Sequence, residues 1–174
     1  DRGHTWGDRL EVPKSWSTSR EVPTLYPIIG PDGKERIIMF SGLHPVRMAF
    51  SEDEGKTWSE LEPIFDFGGI VAMGDVIRLK NGNYMAFFHD DGRFISGDMK
   101  RNPRFYVYST ISSDGGLTWS NPAIVATDRD MKLCEPGVVR SPDGNEIAML
   151  LRENGRKFNS AVIFSRDEGM TWSK

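Results

Sequence analysis

Only one cysteine, Cys134, stands among the 174 residues, so no internal disulfide can form and cysteine usage leaves the redox compartment open. Long apolar runs are absent. None approaches the roughly 18–20 residues that a membrane-spanning helix needs. A signal-peptide pattern is absent as well, because the chain opens on the polar run Asp1-Arg2-Gly3-His4-Thr5-Trp6. Neither charge is in large excess. The 22 basic and 25 acidic residues leave a net charge of −3, which argues against a nucleic-acid partner. Helical periodicity is nearly absent, and 100–106, with Pro103, reads as a loop. Glycine and aromatic residues are plentiful: 18 Gly, and 11% Phe, Trp and Tyr with five tryptophans. That apolar bulk argues against disorder. By length alone the chain is one ordinary domain.

A repeat changes that reading. The run Ser51-Glu-Asp53-Glu-Gly55-Lys-Thr57-Trp58 returns as Ser112-Ser-Asp114-Gly-Gly116-Leu-Thr118-Trp119 and again as Ser165-Arg-Asp167-Glu-Gly169-Met-Thr171-Trp172. Asp1-Arg-Gly3-His-Thr5-Trp6 is a fourth copy without its leading Ser. The four tryptophans lie 52, 61 and 53 residues apart. Each motif has a physical logic. A short apolar run leads in as a strand. Asp supplies an acceptor for free backbone N–H groups of a turn. Gly permits positive φ, Thr adds a hydroxyl, and Trp adds a large apolar plate. A calcium loop is disfavoured, because the Asp-x-Asp-Gly spacing and a closing acidic ligand are missing.

Between motifs, Asp-Gly or Asn-Gly turns at 32–33, 81–82 and 143–144 separate apolar runs, a strong hairpin signal. Each unit therefore reads strand, turn, strand, loop, strand, motif, strand. Four strands in about 50–60 residues is the size of a propeller blade. The expected fold is all-β: one propeller segment over 1–174 with blade repeats near 7–58, 59–119 and 120–172, half of a six-bladed ring.

Ser-x-Asp-x-Gly-x-Thr-Trp resembles the Asp-box of the bacterial neuraminidase (BNR) repeat, found in sialidases and other β-propellers. Leu133-Cys-Glu135-Pro-Gly-Val-Val-Arg-Ser-Pro-Asp-Gly144, ending in Leu150-Leu-Arg152-Glu-Asn154, resembles the sialidase segment in which a glutamate opens one strand and an arginine closes the next. The resemblance implies an exo-α-sialidase chemistry, releasing terminal sialic acid from glycoconjugates. That chemistry uses a tyrosine nucleophile, a glutamate that takes the tyrosine's proton, three arginines on the sugar carboxylate and an acid aspartate. By position, Glu135 resembles the tyrosine's partner and Arg152 the second arginine. No segment resembles the Arg-Ile-Pro signature or the tyrosine blade, so those groups are expected in flanking blades. A sialylated glycan or other carbohydrate is the implied partner. No cofactor or metal is implied, and the family resemblance favours a secreted or periplasmic location.

Aligning the units on their central glycines puts Ser41, Asp90 and Arg152 at one position, and Thr24, Met73 and Glu135 at another. Such positions converge on one mouth of a propeller. They gather Asp75, His89, Asp90, Asp91 and Arg93 as candidate substrate-binding residues beside the catalytic candidates Glu135 and Arg152, with Glu153 and Arg156 nearby. Each has a plainer alternative. Glu135 and Arg152 could be a salt bridge closing the third blade, and His89-Asp90-Asp91 a solvated turn. His44 could touch ligand or simply fill a loop. Consecutive strand residues face opposite ways, so His89-Asp90-Asp91 is a poor metal site. Arg78 and Arg140 recur at one scaffold position. Cys134 reads as a buried small residue rather than a nucleophile. A non-catalytic carbohydrate-binding or scaffold propeller is the alternative function. Three blades leave two open sheet edges, so the chain is either part of a longer propeller, the preferred reading, or half of a two-fold homodimeric ring.

Overall fold

The computed structural model describes residues 2–66, 73–95 and 104–173. Asp1 of the first motif copy and residues 100–103 of the expected loop lie outside them. Tyr106, placed in that loop from sequence, instead opens a strand. The described residues are nearly all β.

Three antiparallel sheets follow one another along the chain. The first contains β1 (Thr24–Ile29), β2 (Glu35–Ser41), β3 (Arg47–Ser51) and β4 (Glu62–Pro63). The second contains β5 (Asp75–Arg78), β6 (Tyr84–Asp90), β7 (Tyr106–Ser112) and β8 (Ala123–Thr127). The third contains β9 (Leu133–Arg140), β10 (Ile147–Glu153) and β11 (Ala161–Ser165). Strand order within each sheet is sequential, as a propeller blade requires. The ring is not closed. The short fourth strands, β4 and β8, follow the motif tryptophans, so the first two sheets reach beyond the Trp that marks the repeat.

Each motif folds into the same knot. The Asp53 carboxylate accepts from the Ser51 hydroxyl (2.8 Å), the Thr57 amide (2.8 Å) and the Thr57 hydroxyl (2.6 Å). Ser51 Oγ accepts from Gly55 N at 2.9 Å, and the Trp58 indole donates to Gly55 O at 3.0 Å. Asp114 and Asp167 repeat this set. The knot needs two successive left-handed residues, supplied by Glu54-Gly55, Gly115-Gly116 and Glu168-Gly169. Arg2 and Gly3 keep the same pair, with φ of 59° and 81°.

The knots also fasten neighbouring blades. Trp119 of the second blade meets Phe40 of the first edge-on at 5.5 Å, and Trp172 of the third meets Phe87 of the second at 5.9 Å. A Cβ on Gly169 would lie 2.8 Å from the Met85 sulfur of the second blade, so a larger residue there would displace that side chain as well as strain a backbone at φ 84°. The core accordingly lies between sheets. Ile38 and Phe40 pack with Ala86, Phe88 and Trp119. Met85 and Phe87 pack with Met149 and Leu151. On the far face of the first blade a short 3₁₀ turn, Lys14–Thr18, sets Trp16 edge-on against Trp58 at 5.4 Å.

Candidate functional site

The ends of β6 and β10 lie at the same end of their blades as the starts of β5 and β9. Backbone pairing sets the true equivalence there. Arg78 pairs with Tyr84 and Arg140 with Ile147, while Tyr84 and Ile147 each pair with the motif serine, Ser112 or Ser165. The third hairpin turn is one residue longer: Leu79 N bonds Asn83 O, but Ser141 N bonds Glu146 O. Arg152 is therefore equivalent to His89, and Glu153 to Asp90. This corrects the alignment on glycines, which paired Arg152 with Asp90.

The corrected pairs share roles. Asp90 is fully buried and accepts from the amides of Gly92, Phe94 and Ile95. Glu153 accepts from the amides of Lys132, Gly155 and Lys157. Both carboxylates hold the loop that follows their strand. Stacking backbone donors on Glu153 keeps its pKa down at about 2.

Glu135 and Arg152 come together. Arg152 Nη1 donates to Glu135 Oε1 at 2.5 Å, with the side chains 46% and 44% exposed. Among the described residues, Nη1 is the only guanidinium nitrogen of Arg152 with a partner. Glu135 has a left-handed backbone, φ 50°, and sits where the β9–β10 register shifts between Leu150 and Arg152. A non-glycine residue there is strained and is re-aimed by the bulge. Cys134 alternates inward, is buried, and its thiol is pushed up to about 11 by burial. That is the wrong direction for a nucleophile.

His89 and Asp75 reach this kink from the second blade. His89 is 3% exposed, stacks on Phe105, and accepts from the Glu135 amide at Nδ1, 3.3 Å away. Asp75 accepts from the Val138 amide at 2.8 Å. Asp91 and Arg93 form a second ion pair at 2.8 Å, with Arg93 44% exposed. The Arg93 guanidinium lies over Phe94, which also stacks with His44 at 5.3 Å. His44 thus brings the first blade's loop to the mouth. Among the described residues no three His, Cys, Asp or Glu side chains group as metal ligands. Tyr26 and Tyr108 are pushed up to about 12, chiefly by burial, so neither is an activated nucleophile.

Sequence reading missed the serine after each motif Trp. Ser59, Ser120 and Ser173 accept from the amides of Phe50, Ile111 and Phe164. The recurrent Thr-Trp-Ser was its signal.

The profile of the BNR repeat-like domain matches residues 1–174. The chain belongs to the BNR repeat-like domain family. No curated protein matches this BNR repeat-like chain significantly. Among solved structures, it is similar to a protein of unknown function from Dyadobacter fermentans, at 22% identity and a TM-score of 0.62, covering 87% of this chain and 48% of that one. The Hadza microbial sialidase Hz136 matches at 20% identity and a TM-score of 0.56, covering 87% and 32%. The endo-arabinase from Bacteroides thetaiotaomicron matches at 13% identity and a TM-score of 0.50, covering 83% and 54%. The BNR repeat-like chain thus spans about half or less of each structure's length. At these identities the likeness is one of fold. No helix among the described residues is long and apolar enough to cross a membrane.

Proposed function

We propose that this BNR repeat-like segment forms part of the sugar site of a sialidase-like glycoside hydrolase acting on terminal sialic acids. The observation that carries the reading is the Glu135–Arg152 pair, held half-exposed at the mouth on a kinked strand. Scaffold packing does not need an exposed ion pair, which contributes little to stability. A guanidinium fixed at one nitrogen and otherwise open presents the planar fork that matches a carboxylate. Arg152 is the sialic acid carboxylate ligand. Glu135 is the proton acceptor for a tyrosine outside the present chain, which needs a base because free tyrosine titrates near pH ~10. Arg93 and Asp91, with the His44–Phe94 stack, offer charge and an aromatic surface to the rest of the sugar.

Release of 4-methylumbelliferone from its sialoside by a complete propeller containing this segment and by its Glu135→Gln variant tests this. Loss of the base lowers release by roughly 100-fold or more. Equal release by both, or none by either, overturns the hydrolase reading. The second reading, a non-catalytic carbohydrate-binding or scaffold propeller, draws on the same Glu135–Arg152 contact, which ties the start of β9 to the end of β10 as a structural ion pair would. It expects saturable sugar binding without release.

A further inference from the structure

His89 and Asp75 are sugar-binding candidates by sequence, yet one polar atom of each, His89 Nδ1 and Asp75 Oδ2, is engaged across the blade boundary. Three contacts tie the start of β9 to the second blade. The Glu135 amide donates to His89 Nδ1 at 3.3 Å. The Val138 amide donates to Asp75 Oδ2 at 2.8 Å. Between them Gly74 lies against the chain so closely that a Cβ would stand 2.5 Å from the Pro136 carbonyl oxygen. Sheet pairing does not satisfy a bulged amide, so the acceptor has to come from elsewhere.

We propose that His89, seconded by Asp75, is a positioning residue: its unprotonated Nδ1 holds Glu135 in the left-handed kink that brings its carboxylate to Arg152. The inference rests on the proposed sugar site for its significance, but its geometry stands apart from any substrate. An amide donor fixes the tautomer. Nδ1 must be the acceptor, so the proton resides on Nε2. Protonating Nδ1 would set a donor against a donor and release the kink. The charged groups around the ring are Glu135 on β9, Arg152 on β10, and Asp90 and Asp91 after its own strand. The three carboxylates favour the protonated ring; Arg152 and, above all, burial oppose it, and the balance lowers its pKa. The ring is therefore neutral at pH 7 and remains an acceptor.

Long-range ¹H–¹⁵N correlation spectra of the wild-type protein read the tautomer directly. The expected result is an unprotonated Nδ1 and a protonated Nε2. Amide exchange then tests the contact. His89→Phe keeps a stacking ring without the acceptor, and the Glu135 amide should exchange about tenfold faster, as one lost hydrogen bond implies. His89→Asn returns an oxygen near the Nδ1 position and should restore protection. A proton on Nδ1 in the wild type, or unchanged Glu135 exchange in His89→Phe, overturns the proposal. If His89→Phe fails to fold, the wild-type tautomer decides alone. None of these readouts needs a sugar. Failure of N-acetylneuraminic acid to bind, with the expected tautomer present, therefore counts against the sialidase reading and not against the positioning role.

Discussion

Glu153 accepts amides from both sides of the mouth, at Lys132 and at Gly155 and Lys157. These bonds exist only in the folded chain, so its pKa falls from 4.5 to about 2 on folding. A depressed carboxylate stabilises the fold above the unfolded pKa, and that contribution is lost as pH falls through the folded value. Thermal midpoints should therefore drop as pH falls from about 4.5 to 2. Glu153→Gln should lower the midpoint at neutral pH and flatten the dependence in that window, leaving the share of the other depressed carboxylates, among them Asp32, lowered to about 2 by Arg36, and Asp53, lowered to about 2 by Thr57 and Ser51. A Glu153→Gln curve parallel to wild type would contradict this. Sequence reading placed Glu153 near the mouth but could not assign it a role. The one-residue difference between the hairpin turns hid its equivalence to Asp90, since counting from Gly144 or Gly82 does not reveal where pairing resumes.

Strand β10 shows how an element divides its work. Ile147, Met149 and Leu151 are 1%, 0% and 0% exposed, and Met149 and Leu151 pack against the second blade. Leu150 is 56% exposed on the other face. Alternation of this kind predicts opposite outcomes for adjacent leucines. Leu151→Ala should cost about 2–5 kcal/mol as a buried truncation, whereas Leu150→Gln should stay within about 0.5 kcal/mol as an exposed change. Urea melts of the two variants decide between this and a uniform strand. The elements themselves were largely legible. Asp-Gly and Asn-Gly turns fall between the paired strands, and each Asp-box residue bonds as its chemistry suggests, because the motif closes within eight residues. The 3₁₀ turn that sets Trp16 on Trp58 was not legible, because its reason is a contact 42 residues away.

At the scale of the molecule, the cores and the mouth belong to pairs of blades. Trp172 locks onto Phe87, and Glu135 is held by His89 of the neighbouring sheet. Repeat length and motif count were enough to expect blades side by side. They could not show that Asp75 and His89 turn toward β9, since a repeat fixes equivalent positions and not which side chains cross between them. The Glu135–Arg152 meeting was legible as the plainer alternative, a salt bridge closing the third blade, and the left-handed kink beneath it was not, because nothing local in Cys134-Glu135-Pro136 demands it. Two ion pairs, Glu135–Arg152, half-exposed on both sides, and Asp91–Arg93, half-exposed at the arginine alone, set at the mouth the charge that a carboxylated sugar would meet. Calorimetric titration of N-acetylneuraminic acid into the wild-type protein and Arg152→Ala tests that most directly. Saturable binding that Arg152→Ala weakens by roughly 10- to 100-fold is expected for loss of a charged hydrogen-bonding partner worth about 1.5–3 kcal/mol. Equal affinity in the two proteins, or no binding to either, would contradict the assignment of this mouth to a sialic acid carboxylate.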